Sequence, residues 1–148
     1  MLEDVLKKMR PVIQEEPYWC GPASLAIVLN YHGIAANQKE LARQSRCPKD
    51  QGTYATNLQR AAQEYGLRAK VEPFGTMSAL GEELSANRPV IVLIDDGYPD
   101  TGHFVVAAAL SHRHVYIADP ASGTIVPSPR SKFKSSWQKI ESILGAAS

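Results

Sequence analysis

Gln14-Glu-Glu-Pro-Tyr-Trp-Cys20-Gly-Pro-Ala-Ser-Leu-Ala-Ile-Val-Leu-Asn-Tyr31 is the stretch on which the fold turns. From Ala23 to Tyr31 it is apolar almost all round, with Pro22 beside its start and Gly33 just past its end. Proline suits a first helical turn, where an N–H has no intrahelical acceptor, and glycine accepts the left-handed backbone that closes a helix. A helix that is apolar on every side is a buried one. The pattern predicts a central buried helix over Ala23–Tyr31, with Cys20 immediately before it.

Working outward, Leu2, Val5, Leu6 and Met9 recur at helical spacing until Pro11 stops them, which predicts a short amphipathic helix. Asn37 with Glu40 resembles a capping box opening a helix through about Gln44. Thr53 or Thr56 opens another running to Tyr65 before Gly66, and Thr76 caps a further helix from Met77 to about Ala86. After Pro89 the texture changes. Val90–Ile94, Phe104–Leu110 and Val115–Ala118 are short runs rich in Val, Ile, Phe and Ala, separated by turn residues such as Gly97, Pro99 and Gly102, and read as strands. Arg68–Glu72 alternates polar and apolar residues as a further strand candidate, and Phe133 with Trp137 predicts a closing C-terminal helix. Helices first and an antiparallel sheet afterwards is the α+β pattern, with a cleft between the halves as the natural place for a site.

The 148 residues predict a single domain, residues 1–148, burying roughly two-thirds of the surface its unfolded chain exposes. A formal charge of +1, from 16 basic and 15 acidic residues spread along the chain, provides no footprint for nucleic acid or an anionic membrane. Arg130, Lys132 and Lys134 read as a solvated helix face. The longest apolar runs fall well short of the ~20 residues that span a bilayer, so no membrane segment is expected. Met1-Leu-Glu-Asp4 is acidic and without a secretory core, which predicts a cytoplasmic protein or a chain trimmed from an exported one. Two cysteines, Cys20 and Cys47, make neither a disulfide framework nor a zinc cluster, and no metal or cofactor is expected.

Cys20 would lie at the positive end of the buried helix, an environment that favours thiolate, the nucleophilic form of cysteine. Position alone suits a small apolar residue equally well. Cys47, before Pro48 in a polar loop, reads as structural. His103 begins one strand and Asp119, held extended by Pro120, ends the next. A hairpin turning at Ser111–Arg113 would set the two nearly opposite each other, with β-carbons about 5 Å apart. His32 reads as a cation at a helix C-terminus, and His112 and His114 as solvated turn residues. Tyr18 and Trp19 suit either a cleft wall or the core.

Gln14 before Cys20-Gly21-Pro22-Ala23-Ser24, Gly52-Thr53 leading to Tyr65-Gly66-Leu67, Gly102-His103-Phe104-Val105-Val106, and Asp119-Pro120 together resemble the bacteriocin-processing cysteine peptidases, C39-like, and their stand-alone relatives. That resemblance covers most of the chain. It implies a papain-like fold with Cys20 as nucleophile, His103 as base, Asp119 as the group orienting the histidine, and Gln14 as an oxyanion-hole donor beside the Cys20 backbone N–H. The implied activity is hydrolysis of a peptide or amide. A peptide-binding domain of the same fold, or acyl transfer to an amine by the same residues, stays open, as does the substrate, because specificity for a double-glycine leader does not carry over.

Overall fold

The computed structural model describes residues 2–48, 52–72, 75–95, 97, 102–137 and the backbone of 142–147. Helices α1 (Leu2–Lys8), α2 (Cys20–Tyr31), α3 (Gln38–Gln44) and α4 (Ala55–Glu64) come first, then strand β1 (Leu67–Glu72) and helix α5 (Met77–Ser85). Strands β2 (Val90–Ile94), β3 (His103–Leu110), β4 (His114–Asp119) and β5 (Thr124–Pro129) follow, then helix α6 (Arg130–Trp137) and strand β6 (Ser142–Ala147). The six strands form one antiparallel sheet in the order β1-β6-β2-β3-β4-β5.

The sheet is covered on both faces, so its central strands read as unbroken apolar runs without alternation. Ile91, Phe104, Val106, Ala108 and Ala118 pack with α2 and residues of α1 and α4. Val90, Val92, Val105, Ala107, Val115 and Ile117 pack with Leu80 and Leu84 of α5 and with Phe133 and Trp137 of α6. α2 is buried along almost its whole length, from Gly21 to Leu29 and again at Tyr31, and Gly33 leaves it with φ of +78°.

Local chemistry departs from expectation at several places. The Asn37 side chain accepts the Glu40 N–H at 2.8 Å, but the Glu40 carboxylate pairs with Arg43 instead of returning to the cap, so the box is half built. Neither Thr53 nor Thr56 caps α4. Tyr54 holds that position without a side-chain bond, while the Thr53 hydroxyl donates to the Ser45 carbonyl. The chain does not close on a helix, because β6 returns between β1 and β2. The edges are protected. On β1, Gln59 of α4 accepts the Val71 N–H at 2.7 Å and Gln63 donates to the Ala69 carbonyl at 3.1 Å, while β5 carries Pro127 and Pro129. Among the described residues no helix is long and apolar enough to cross a membrane.

Candidate active site

Cys20 is the first residue of α2, preceded by Trp19, which caps the helix without lending a side chain. First-turn amides have no acceptor inside a helix, and Pro22 has no N–H. The Ala23 N–H reaches the Trp19 carbonyl at 2.9 Å, so the amides of Cys20 and Gly21 are the first-turn donors at the sulfur's end of the helix. Gly21 is small for a reason: a β-carbon there would stand 2.6 Å from Thr53 Cγ2 and 3.4 Å from Phe104 Cδ2. Without one, the start of α2 lies directly on the start of β3, where Phe104 follows His103.

His103 and Asp119 are joined by the β3–β4 pairing. The imidazole Nε2–H donates to Asp119 Oδ1 at 2.7 Å. Cys20 also acts on this ring, raising its pKa; with Nε2 engaged by Asp119, Nδ1 is the ring nitrogen left for it. Asp119 is itself held by its turn, its Oδ1 accepting the Ala121 N–H at 2.9 Å and its carbonyl the Gly123 N–H at 2.8 Å. The side chains meet across adjacent strands, as the hairpin reading expected, but from diagonal and not directly opposed positions. Ala107 pairs with Ile117 and Val106 with Ala118; continuing that register sets Asp119 beside Val105, with His103 two residues nearer the mouth on the same face. Diagonal neighbours of this kind are still within reach of a histidine side chain.

The charges follow from that geometry. Burial pulls the His103 pKa down, but hydrogen bonds with Asp119 and Cys20, and their charges, outweigh it and raise it to about 9. The bond with His103 holds the Asp119 carboxyl below its ordinary range against the opposing effect of burial. These contacts favour the imidazolium over the neutral ring. Cys47 differs: burial first, then the Cys20 charge, push its thiol up to about 11. His32, read from sequence as a cation, has its pKa lowered, chiefly by burial and then by Lys8, so the neutral ring is favoured at the end of α2. His114 opens β4 and is not a turn residue.

Gln14 lies against the turn after Asp119, its N–H donating to the Pro120 carbonyl at 2.8 Å. Its side-chain amide donates to the carbonyls of Glu16 at 3.1 Å and Pro17 at 2.9 Å, and its Oε1 is buried with no hydrogen-bond partner among the described residues. As it stands, both N–H groups are committed to the loop before Cys20. Gln38 was not singled out in the sequence. It is 5% exposed and clamps the segment around Gln14, donating to the Ile13 carbonyl at 2.8 Å and accepting the Glu15 N–H at 2.9 Å. No sequence signal marks it, since its partners are more than twenty residues away. Trp19 lines a cavity of about 460 Å³ with residues of α3 and Cys47. Among the described residues no group of three or more His, Cys, Asp or Glu could hold a metal ion.

Residues 6–144 match the model of the Peptidase C39 like family. The chain belongs to that family. An uncharacterized protein of Methanothermobacter thermautotrophicus is 38% identical over 114 residues, spanning 77% of this chain and 73% of that one. Among solved structures, the peptidase domain of Streptococcus ComA, a bi-functional ABC transporter involved in a quorum sensing pathway, superposes with a TM-score of 0.81 at 25% identity, covering 95% of this chain and 99% of that one. A double glycine motif protease from an AMS/PCAT transporter, in complex with its leader peptide, gives 0.74 at 28% identity over 94% and 92%. The Carica candamarcensis cysteine protease CMS1MS2 shares the fold, at 0.70 and 13% identity over 95% and 94%. This C39-like chain thus has the papain-like α+β architecture, with a cysteine peptidase family as its setting.

Proposed function

We propose that this C39-like chain is an active cysteine peptidase in which Cys20 is the nucleophile, His103 the acid and base, and Asp119 the group that orients the imidazole. The observation that carries it is the placement of His103, with Nε2 on Asp119 at 2.7 Å and the other ring nitrogen left for Cys20. The Cys20 thiolate attacks the carbonyl carbon of a peptide bond, and the oxyanion is received by the Cys20 backbone N–H. The His103 imidazolium gives its proton to the departing amine, leaving a thioester on Cys20 and a neutral ring. That ring then takes a proton from water as water attacks the thioester, and the thiolate is restored. Gln14 adds a second donor to the oxyanion once its amide turns from the Glu16 and Pro17 carbonyls, two neutral bonds each worth about 1 kcal/mol net.

The substrate class is a peptide, a reading supported by the leader-peptide complex of a relative. Peptides, including ones with a double-glycine motif, incubated briefly with the protein and quenched in acid should leave an acyl adduct on Cys20 detectable by mass spectrometry. Cys20→Ala should leave none. Absence of adduct and of cleavage across such a panel, in protein whose Cys20 alkylates no faster than Cys47 at pH 6, would leave the fold without the activity.

A further inference from the structure

Cys47 lies outside the machinery described above yet beside it. Its thiol donates to the Tyr18 carbonyl at 3.4 Å, two residues before Cys20. The segment that carries it is fastened to the start of α2 at more than this point. The Thr53 hydroxyl donates to the Ser45 carbonyl at 2.5 Å, and Thr53 Cγ2 fills the space that a side chain on Gly21 would need. Cys47 also shares a cavity with Trp19, the residue preceding Cys20. The two cysteines are the only ones in the chain, and both are free and half-buried. Burial first, and the neighbouring Cys20 second, raise the Cys47 pKa to about 11.

We propose that Cys20 and Cys47 form a reversible redox pair, in which a hydroperoxide oxidises Cys20 and Cys47 resolves the product as a disulfide. The proposal rests on the reading of Cys20 as the reactive thiolate. In the first step the Cys20 sulfur attacks a peroxide oxygen. The S–O bond forms as the O–O bond breaks, sulfur loses two electrons, and the departing hydroxide takes the His103 proton as water. In the second step the Cys47 sulfur attacks the Cys20 sulfur of the sulfenic acid. The S–S bond forms, the S–O bond breaks, and hydroxide leaves as water with the Cys47 proton. The roles do not interchange, since a thiol with a pKa of about 11 is a poor first target for peroxide; it resolves through its minor thiolate form, which its position beside the start of α2 keeps close to Cys20. To bridge, Cys47 gives up its S–H···O bond to the Tyr18 carbonyl and Cys20 turns from His103. The result is a nucleophile switched off and sheltered from irreversible sulfinic acid, restored by a dithiol.

The test treats reduced protein at pH 7 with a few equivalents of hydrogen peroxide and maps its peptides without reduction. A peptide pair linked through Cys20 and Cys47, two hydrogens lighter than the reduced pair, is expected. After dithiothreitol, alkylation of Cys20 by iodoacetamide should return in the wild type. In Cys47→Ser it should return at least about tenfold less, with Cys20 found as sulfinic acid. Equal recovery in both proteins, or no linked pair, overturns the proposal; if Cys47→Ser melts early, the linked pair in the wild type decides alone. Slow alkylation of Cys20 in untreated protein overturns this proposal and the peptidase reading together. Fast alkylation without a linked pair overturns the redox pair only.

Discussion

His103 and Asp119 share a face of the sheet because β3 carries one residue more than β4 between them. Leu110 pairs with Val115 and Ala109 with Tyr116, but beyond Ala108 the register slips, and Ala107 pairs with Ile117. Without that bulge Asp119 would sit beside Val106, an odd number of residues from His103, and the two side chains would leave opposite faces. The bulge puts Asp119 beside Val105, an even step away. Bulges next to sites commonly re-aim a side chain in this way.

Deleting Ala108 is therefore expected to separate imidazole from carboxylate while leaving the apolar pattern of the distal half of the hairpin intact. Iodoacetamide uptake at Cys20 near pH 6 should fall to the rate of an ordinary thiol. A circular dichroism spectrum close to wild type identifies the loss as local. A deletion variant that keeps fast alkylation would show that the bulge does not set the alignment.

Asp119→Asn should lower the His103 pKa from about 9, since the bond that raises it loses its charge. The His103 interactions stabilise the fold fully below the ordinary histidine value of 6.5 and are lost as pH rises through about 9. Those of Asp119 are present above 3.8 and lost as pH falls through its lowered value. The melting temperature should be highest between these limits. In Asp119→Asn the alkaline fall moves toward neutral pH, and so does the alkaline limb of the proposed peptidase activity, in which a protonated His103 releases the amine. Titration of the His103 ring by NMR in both proteins measures the shift directly.

Much of this was legible in the sequence, for reasons that differ by element. Pro22 and Gly33 bracket α2, and the β3–β4 hairpin turns over a few residues, so local signals suffice. The bulge is hidden in Ala107-Ala108-Ala109, where nothing in the side chains says which alanine is the extra one. β5 is masked by Pro127 and Pro129, which only an edge strand tolerates. β6 depends on partners far back in the chain, Leu67 to Glu72 and Val90 to Val92, and its Ser-Ile-Leu-Gly-Ala-Ala carries little strand preference of its own. Cys20, His103 and Asp119 stood out because each sits at the end of an element. Gln38 did not, because its role lies in bonds to a distant segment.

Gln38→Leu is expected to destabilise the protein by about 1–3 kcal/mol, from two lost part-buried hydrogen bonds, with the Ile13 carbonyl and the Glu15 N–H, at about 0.5–1.5 kcal/mol each. Thermal or denaturant unfolding measures it. Gln38→Glu keeps an acceptor for the Glu15 N–H but loses the donor to Ile13 and buries a carboxylate against that carbonyl, so it too should be less stable than the wild type. If the leucine variant is as stable as the wild type, the clamp is not what fixes the segment around Gln14.

On the proposed mechanism, Gln14 separates two chemistries that share Cys20 as nucleophile. Acylation passes through a tetrahedral intermediate whose oxyanion needs donors, and removing one such donor commonly slows turnover by ~10²–10³. Alkylation by iodoacetamide is a displacement at saturated carbon and builds no oxyanion, so it reads only the thiolate and its imidazolium. Gln14→Ala should therefore lower kcat by about that factor while Cys20 alkylates at the wild-type rate. Gln14→Glu, which offers no donor when ionised and brings a negative charge toward the oxyanion, should be no better than alanine. Equal losses of peptidase activity and alkylation would instead mean that Gln14 acts through the loop it holds, where its bonds to Glu16 and Pro17 set the approach of the chain to Cys20.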